Sequence, residues 1–262
     1  MTMMSQRTRV AINTDIEGQI LSGSLAPGDR LPSERRLAGQ FFVSRPVVRE
    51  VLRGLAERGL IEIAPSRGAF VSGVSSLAGL RPLDVLYRRR GATARQISEV
   101  RLVLEAEAAS LAAERAELEQ VDDLRARLER LEASHEPIET VRADLAFHLG
   151  VAAASRNPVI EAMLGSIATF TMELMVRSLG DPEVTARSAP YHKKIYEAIA
   201  ARDPISAREA MRAHLSVARD TYGLDYDRNL DAMAIRALRR LGSSLSLEDF
   251  LREAGAGQVE AR

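Results

Sequence analysis

Three of the chain's four histidines recur with apolar residues at helical spacing. His148 falls in phase with Val141, Leu145 and Ala152, His192 with Ile195, Tyr196 and Ile199, and His214 with Met211, Leu215 and Ala218. Asp144 lies four residues before His148, one helical turn away on the same face. A histidine on an apolar face is ordinarily a core residue with a hydrogen-bond partner. Three imidazoles and a carboxylate that share one interior are also the donor set of a divalent cation, which would satisfy all four and leave positions open to water or a ligand. Spacing alone leaves both readings open. The fourth, His135, sits in a polar connection at 134–137 and reads as a solvated loop residue.

A second group lies near the other end. Arg45 and Arg49 are four residues apart on a segment whose opposite face carries Val47, Val48, Val51, Leu52 and Leu55. Two guanidiniums projecting together suit guanine edges and phosphates, and they also suit a plain solvated face.

Composition limits what these groups can be. The chain has 262 residues, 46% hydrophobic and 27% charged, which is the profile of a folded protein with one large domain or two small ones. With no cysteine, disulfides, thiolate nucleophiles and sulfur-ligated metals are excluded. The weakly charged stretch 162–176 contains Glu173 and is too short to cross a bilayer, and the N-terminal residues lack the apolar segment of a secretory signal. The expectation is a cytoplasmic protein with no membrane association. Charges balance at 36 against 36, yet residues 1–75 hold ten Arg against seven acids, an excess that permits a nucleic-acid partner without identifying one.

The elements that must position these side chains fall into two textures. Residues 10–21 read as an amphipathic helix, Ser33 caps a short helix over 34–40, and a third helix begins at Ser44. Ile61-Glu62-Ile63 and Ala69-Phe70-Val71 flank a turn at 65–68, a two-stranded hairpin or wing. Helix, helix, turn, helix and wing is a winged helix-turn-helix plan, with the third helix sized for the major groove. From 93 onward the chain reads almost wholly as helix. Thr93 and Gln96 form a capping box ahead of a stripe of Ile97, Val100, Leu104, Ala108 and Leu111. Segments 121–133 and 138–155 follow, and Asn157-Pro158, Asp181-Pro182 and Asp203-Pro204 open three more helices, about six in all. A short helix near 83–90 sits in a linker, and two amphipathic pieces, 229–241 and 246–254, form a tail with no assigned role.

The run Pro27-Gly28-Asp29-Arg30-Leu31-Pro32-Ser33-Glu34-Arg35, then Val43-Ser44-Arg45-Pro46-Val47-Val48-Arg49-Glu50-Val51-Leu52, residues 55–60 and Gly68 closely resemble the DNA-binding domain of GntR-family transcription regulators. The resemblance implies that Arg35, Ser44, Arg45 and Arg49 contact operator DNA, with Gly68 at the wing tip. Three positions depart from the family pattern. Phe42 stands where glycine is usual in the bend, which demands an unusual backbone there. Arg36 replaces the usual acidic residue, which removes the Ser33 capping box and adds a cation near DNA, and Pro46 offers the recognition helix no side-chain hydrogen bond.

Farther on, Arg101-Leu102-Val103-Leu104-Glu105, Asp144-Leu145-Ala146-Phe147-His148, Asn157-Pro158, His192 followed by Ala198-Ile199 and Asp203, and residues 211–215 resemble the all-helical FCD ligand-binding domain of FadR-type GntR regulators. This implies that Asp144, His148, His192 and His214 bind a divalent metal, zinc or nickel, and that Arg101 meets a ligand carboxylate. By spacing alone Arg101 is equally a solvated partner of Glu105. The expected fold class is mostly α. A winged helix-turn-helix with a small β-wing occupies 8–74, a linker with a short helix 75–92, an all-α FCD bundle 93–224 and an extension 225–262. The expected function is a homodimeric transcription repressor, not an enzyme, that binds double-stranded operator DNA and responds to a small carboxylate such as a sugar acid, hydroxy acid or dicarboxylate. A regulator with a purely structural metal, and a metal-dependent hydrolase, are the rival readings.

Overall fold

A computed structural model describes residues 3–64, 67–73, 81–221, 226–227, 230–241, 245–246 and 249–250. The chain divides into two compact units, Met1–Pro82 and Leu83–Arg262.

In the first unit, α1 (Met3–Leu21), α2 (Glu34–Gln40) and α3 (Arg45–Glu57) precede the antiparallel strands β1 (Ile61–Ala64) and β2 (Gly68–Val71). The hairpin register pairs Ile61 with Val71 and Ala64 with Gly68, and Arg30 adds a further bridge to Phe70. Helix α3 buries Val48, Val51, Leu52 and Leu55, the i, i+3, i+4, i+7 stripe of an amphipathic helix. These side chains close over Ile12 and Ile16 of α1, Leu37 of α2 and Ile61 of the wing. The first helix is longer than the sequence stripe, and its Val10 and Leu21 are exposed.

Phe42 resolves the departure at the bend. It takes φ 54°, the left-handed conformation glycine usually supplies, and its side chain is 96% exposed. Around it the Val43 N–H donates to the Ala38 carbonyl, the long bond of a Schellman-type helix end. Ser33 still caps α2 through its hydroxyl, which accepts from the Arg36 N–H, so losing the acidic residue at 36 costs only the reciprocal half of the box.

The second unit contains α4 (Arg81–Arg89), α5 (Ala94–Arg115), α6 (Leu118–Glu132), α7 (Pro137–Ala154), α8 (Pro158–Ser166), α9 (Ala168–Leu179), α10 (Pro182–Ala200), α11 (Pro204–Thr221) and α12 (Leu230–Arg240). The Thr93–Gln96 capping box forms as expected, and Asn157, Asp181 and Asp203 each accept backbone N–H bonds at the helix starts that follow. Helix α5 is central and packs against α7, α10 and α11. Its alanines Ala108, Ala109, Ala112 and Ala113 are fully buried, and their small side chains let the neighbouring helices approach closely.

Two expectations need correction. The segment after Asn157 is two helices, α8 and α9, bent by 62° at Ile167. Gly165 and Ser166 precede the bend, and the Ser166 hydroxyl donates to the Met163 carbonyl, which competes with continued helix. On α5, Val100 is 41% exposed, and the buried face runs instead through Ala94, Ile97, Arg101, Glu105, Ala108 and Ala112. In an alanine-rich helix the apolar stripe is too shallow to fix its phase, so the stripe read from sequence was rotated.

Helix α4 is held by α9. Arg88 pairs with the fully buried Glu173 at 2.5 Å and lies over the Phe170 ring, with Tyr87 edge-on to the same ring. Helix α12 also packs on α9, burying Ala234, Ala237 and Leu238. The second tail piece falls largely outside the described residues, although Phe250 is buried. No single helix among the described residues is long and apolar enough to cross a membrane.

Candidate functional site

On the first unit, Arg35, Ser44, Arg45, Arg49 and Gly68 are all exposed. Ser44 occupies the N-cap of α3 without making a side-chain cap bond, and Pro46 falls in the first turn, where its missing N–H is harmless. The guanidiniums of Arg45 and Arg49 on α3 are not simply solvated. Glu34, at the start of α2, receives a two-pronged bond from Arg49, Nε to Oε1 at 2.9 Å and Nη2 to Oε2 at 2.8 Å, and lies 3.6 Å from Arg45 Nη2. Its carboxyl is held below the usual range chiefly by the Arg49 hydrogen bonds, against the opposing effect of burial. At the wing, Gly68 has φ 108°, and a Cβ there would meet Arg30 Nε at 3.3 Å. The positive φ is what calls for glycine, since the flexible end of Arg30 can yield to a Cβ.

Three helices of the second unit bring the other group together. Asp144 and His148 come from α7, His192 from α10 and His214 from α11, and one ligand atom from each lies within 4.8 Å of all the others. The three imidazoles are buried. Asp144 Oδ1 is 2.9 Å from His192 Nε2 and 3.4 Å from His148 Nε2, and His148 Nε2 is 3.2 Å from His214 Nε2. Four donors at about 2.0–2.1 Å from a tetrahedral cation are separated by about 3.3 Å, so the spacing suits such an ion. Phe147 steadies the ring of His192 edge-on at 5.3 Å. His135 is exposed, as its loop position implied.

Two of these rings have a neighbour at the other nitrogen as well. His214 Nδ1 faces the Ser188 carbonyl at 3.4 Å, and His148 Nδ1 meets Glu105 Oε2. Glu105 is 2% exposed and its second oxygen, Oε1, accepts from Arg101 Nε at 2.5 Å. Burial raises the Glu105 carboxyl, but the Arg101 charge and His148 outweigh it and hold it down to about 2. For His148, burial favours the neutral ring, whereas Glu105 and Asp144 prevail and lift it to about 9. His214 is pushed well below its ordinary value by burial and by the neighbouring imidazoles. Burial also raises Asp144, yet His192 and His148 hold it well below the carboxylate range.

Beside the cluster is a cavity offering about 40 Å³ to the centres of water-sized molecules, lined by Arg101, Asp144, His148 and His214 and, on α9, by Met175 and Ser178. At roughly 10–15 Å³ per water on this measure, it admits a few waters or a small acid. Arg101 is therefore a buried cavity residue, not a solvated one. Sequence reasoning missed Glu105 as a member of the site. Its signal was present, a charge one turn beyond Arg101 on a face otherwise made of Ala and Ile, and it was hidden by the misphased stripe.

A winged helix-turn-helix joined to a helical bundle of this kind defines a DNA-binding transcription regulator. Residues 8–71 match the bacterial regulatory proteins of the gntR family, and residues 96–217 match the FCD domain. The chain belongs to the GntR family and carries an FCD domain. It is 33% identical over 219 residues to the HTH-type transcriptional regulator LutR of Bacillus subtilis, covering 80% of this chain and 99% of the relative. It is 32% identical to the Glc operon transcriptional activator of Escherichia coli, covering 76% of this chain and 83% of that protein. The galactonate operon transcriptional repressor of the same species is also 32% identical, over 73% of this chain and 86% of the relative. Among solved structures, a Streptococcus agalactiae GntR protein superimposes with a TM-score of 0.62 at 26% identity, covering 80% of this chain and 99% of that one. The relatives are regulators and not enzymes, so the hydrolase reading falls.

Proposed function

We propose that this regulator is a cytoplasmic homodimeric repressor whose operator affinity is set by a small carboxylate bound beside a divalent metal in the second unit. The observation that carries the reading is the buried convergence of Asp144, His148, His192 and His214 next to a cavity that Arg101 lines. Asp144 and the three Nε2 atoms hold the cation, zinc or nickel, and His148 is oriented by Glu105 on its far nitrogen. Bound there, the cation supplies a Lewis acid for carboxylate oxygens. Arg101 supplies a charge-assisted partner for the same carboxylate in a water-poor cavity. Four protein ligands fill a tetrahedral site, so a carboxylate oxygen would have to enter as an additional ligand by expansion of the coordination shell, and the adjoining cavity that gives it room is what favours a sensing site over a purely structural metal.

On the DNA side, residues 8–74 form the reading domain, 75–92 the linker, 93–224 the sensing bundle and 225–262 an extension. Arg45 and Arg49 reach base edges in the major groove, while Arg35 and the Ser44 hydroxyl position the helix on the backbone. Gly68 lets the wing tip approach DNA closely, with Arg30 and Arg67 beside it. Two-fold related winged units read two half-sites, so a change in their spacing costs operator affinity.

Thermal unfolding against a panel of sugar acids, hydroxy acids and dicarboxylates, with zinc present and after chelation, tests this reading. A ligand that binds only the folded state raises its stability. The expected result is stabilisation by one class of acid, lost on chelation and in Arg101→Ala. Stabilisation that survives chelation would overturn the role of the metal.

A further inference from the structure

Glu105 is a buried carboxylate with each oxygen committed to a different group, Oε1 to Arg101 Nε and Oε2 to His148 Nδ1. A carboxylate needed only to neutralise Arg101 would not have to reach helix α7. By accepting from Nδ1, Glu105 fixes the hydrogen on that nitrogen and turns the lone pair of Nε2 toward Asp144, His192 and His214. Arg101, one turn earlier on α5, restrains Glu105 in turn.

We infer that Glu105 is a positioning residue that presents His148 Nε2 to a divalent cation, with Arg101 holding Glu105 in place. This rests on reading the Asp144–His148–His192–His214 cluster as a metal site. It adds that Arg101 influences the cation through Glu105 even when no acid is bound.

The test measures the zinc dissociation constant of the full chain by competition with a chromophoric chelator. Four proteins form a cycle: the native chain, Glu105→Gln, His148→Ala and the double variant. Glu105→Gln weakens zinc binding by about 10–100-fold. In the His148→Ala background the same change alters affinity by less than about threefold, because the ring through which Glu105 acts is gone. A loss of equal size in both backgrounds, or no loss in either, overturns the inference. His192→Ala is the control for the underlying reading. If the native chain and His192→Ala bind zinc alike, the metal site itself fails, a result distinct from a failure of Glu105 alone. Unfolding in chelator is followed alongside. Should Glu105→Gln melt, the cycle is run with Arg101→Gln and Glu105→Gln together, which removes both buried charges at once.

Discussion

His148 carries a pH signature at the scale of single residues. In the metal-free cavity its ring is lifted to about 9, so a cation must displace a proton to bind. Zinc affinity is therefore expected to fall by roughly tenfold for each pH unit below that value, as measured by competition titrations between about pH 6 and pH 8. A flat profile would mean that His148 is neutral in the empty site. The same raised value gives the chelated protein stability that is present below the ordinary 6.5 and is lost as pH rises toward 9. On the DNA-facing surface, Glu34 restrains Arg45 and Arg49 and offsets part of their charge. Glu34→Gln is expected to tighten binding to random duplex, and to shrink the ratio of operator to random affinity, because the freed guanidiniums are attracted to any phosphate. An unchanged ratio in filter-binding or anisotropy titrations at fixed salt would remove Glu34 from the reading of sequence.

Helix α2 ends at the scale of elements on a phenylalanine in a conformation that L-residues adopt at a cost of about 1–2 kcal/mol. Phe42 is fully exposed and packs on nothing, so Phe42→Gly relieves strain without opening a cavity. The gain is reduced by the flexibility glycine adds to the unfolded chain. The net expectation is a stabilisation of about 0.5–1 kcal/mol, read from urea unfolding of the winged unit. Destabilisation there would show that the exposed ring serves the fold. Arg88, which pins α4 to α9 through Glu173, works in the opposite direction. Arg88→Ala takes the cation from a carboxylate with no exposed surface, and a loss of about 3 kcal/mol is expected, checked by thermal unfolding.

Linkage governs the whole molecule. If a carboxylate in the cavity lowers operator affinity by some factor, operator must lower carboxylate affinity by the same factor. Titrating each ligand in the presence of the other, at one salt concentration, checks the equality. Operator affinity that ignores both the acid and chelation would separate the two units functionally. Helix α9 meets three other parts of the second unit. Its Met175 and Ser178 line the cavity, its Glu173 holds α4, and α12 lies against it as well. Residues 218–262 lie beyond the FCD match, yet α12 packs on α9 within the second compact unit.

Much of this protein was legible from its residues. Caps at Thr93, Asn157, Asp181 and Asp203 are local chemistry, and the stripe of α3 and the alternation around the wing turn follow from periodicity, so these elements form where their sequences say. The histidine stripes and Asp144 likewise marked which faces turn inward. Three features stayed hidden. The bend between α8 and α9 has only a weak local signal in Gly165 and Ser166, and the clasp of Glu34 on α3 depends on packing between segments apart in sequence. The third is the face of α5 that turns inward, which an alanine-rich helix leaves undecided until its neighbours pack. That rotation took Arg101 out of solvent and placed Glu105 between it and His148, a meeting of residues 43 positions apart that only the folded bundle could arrange.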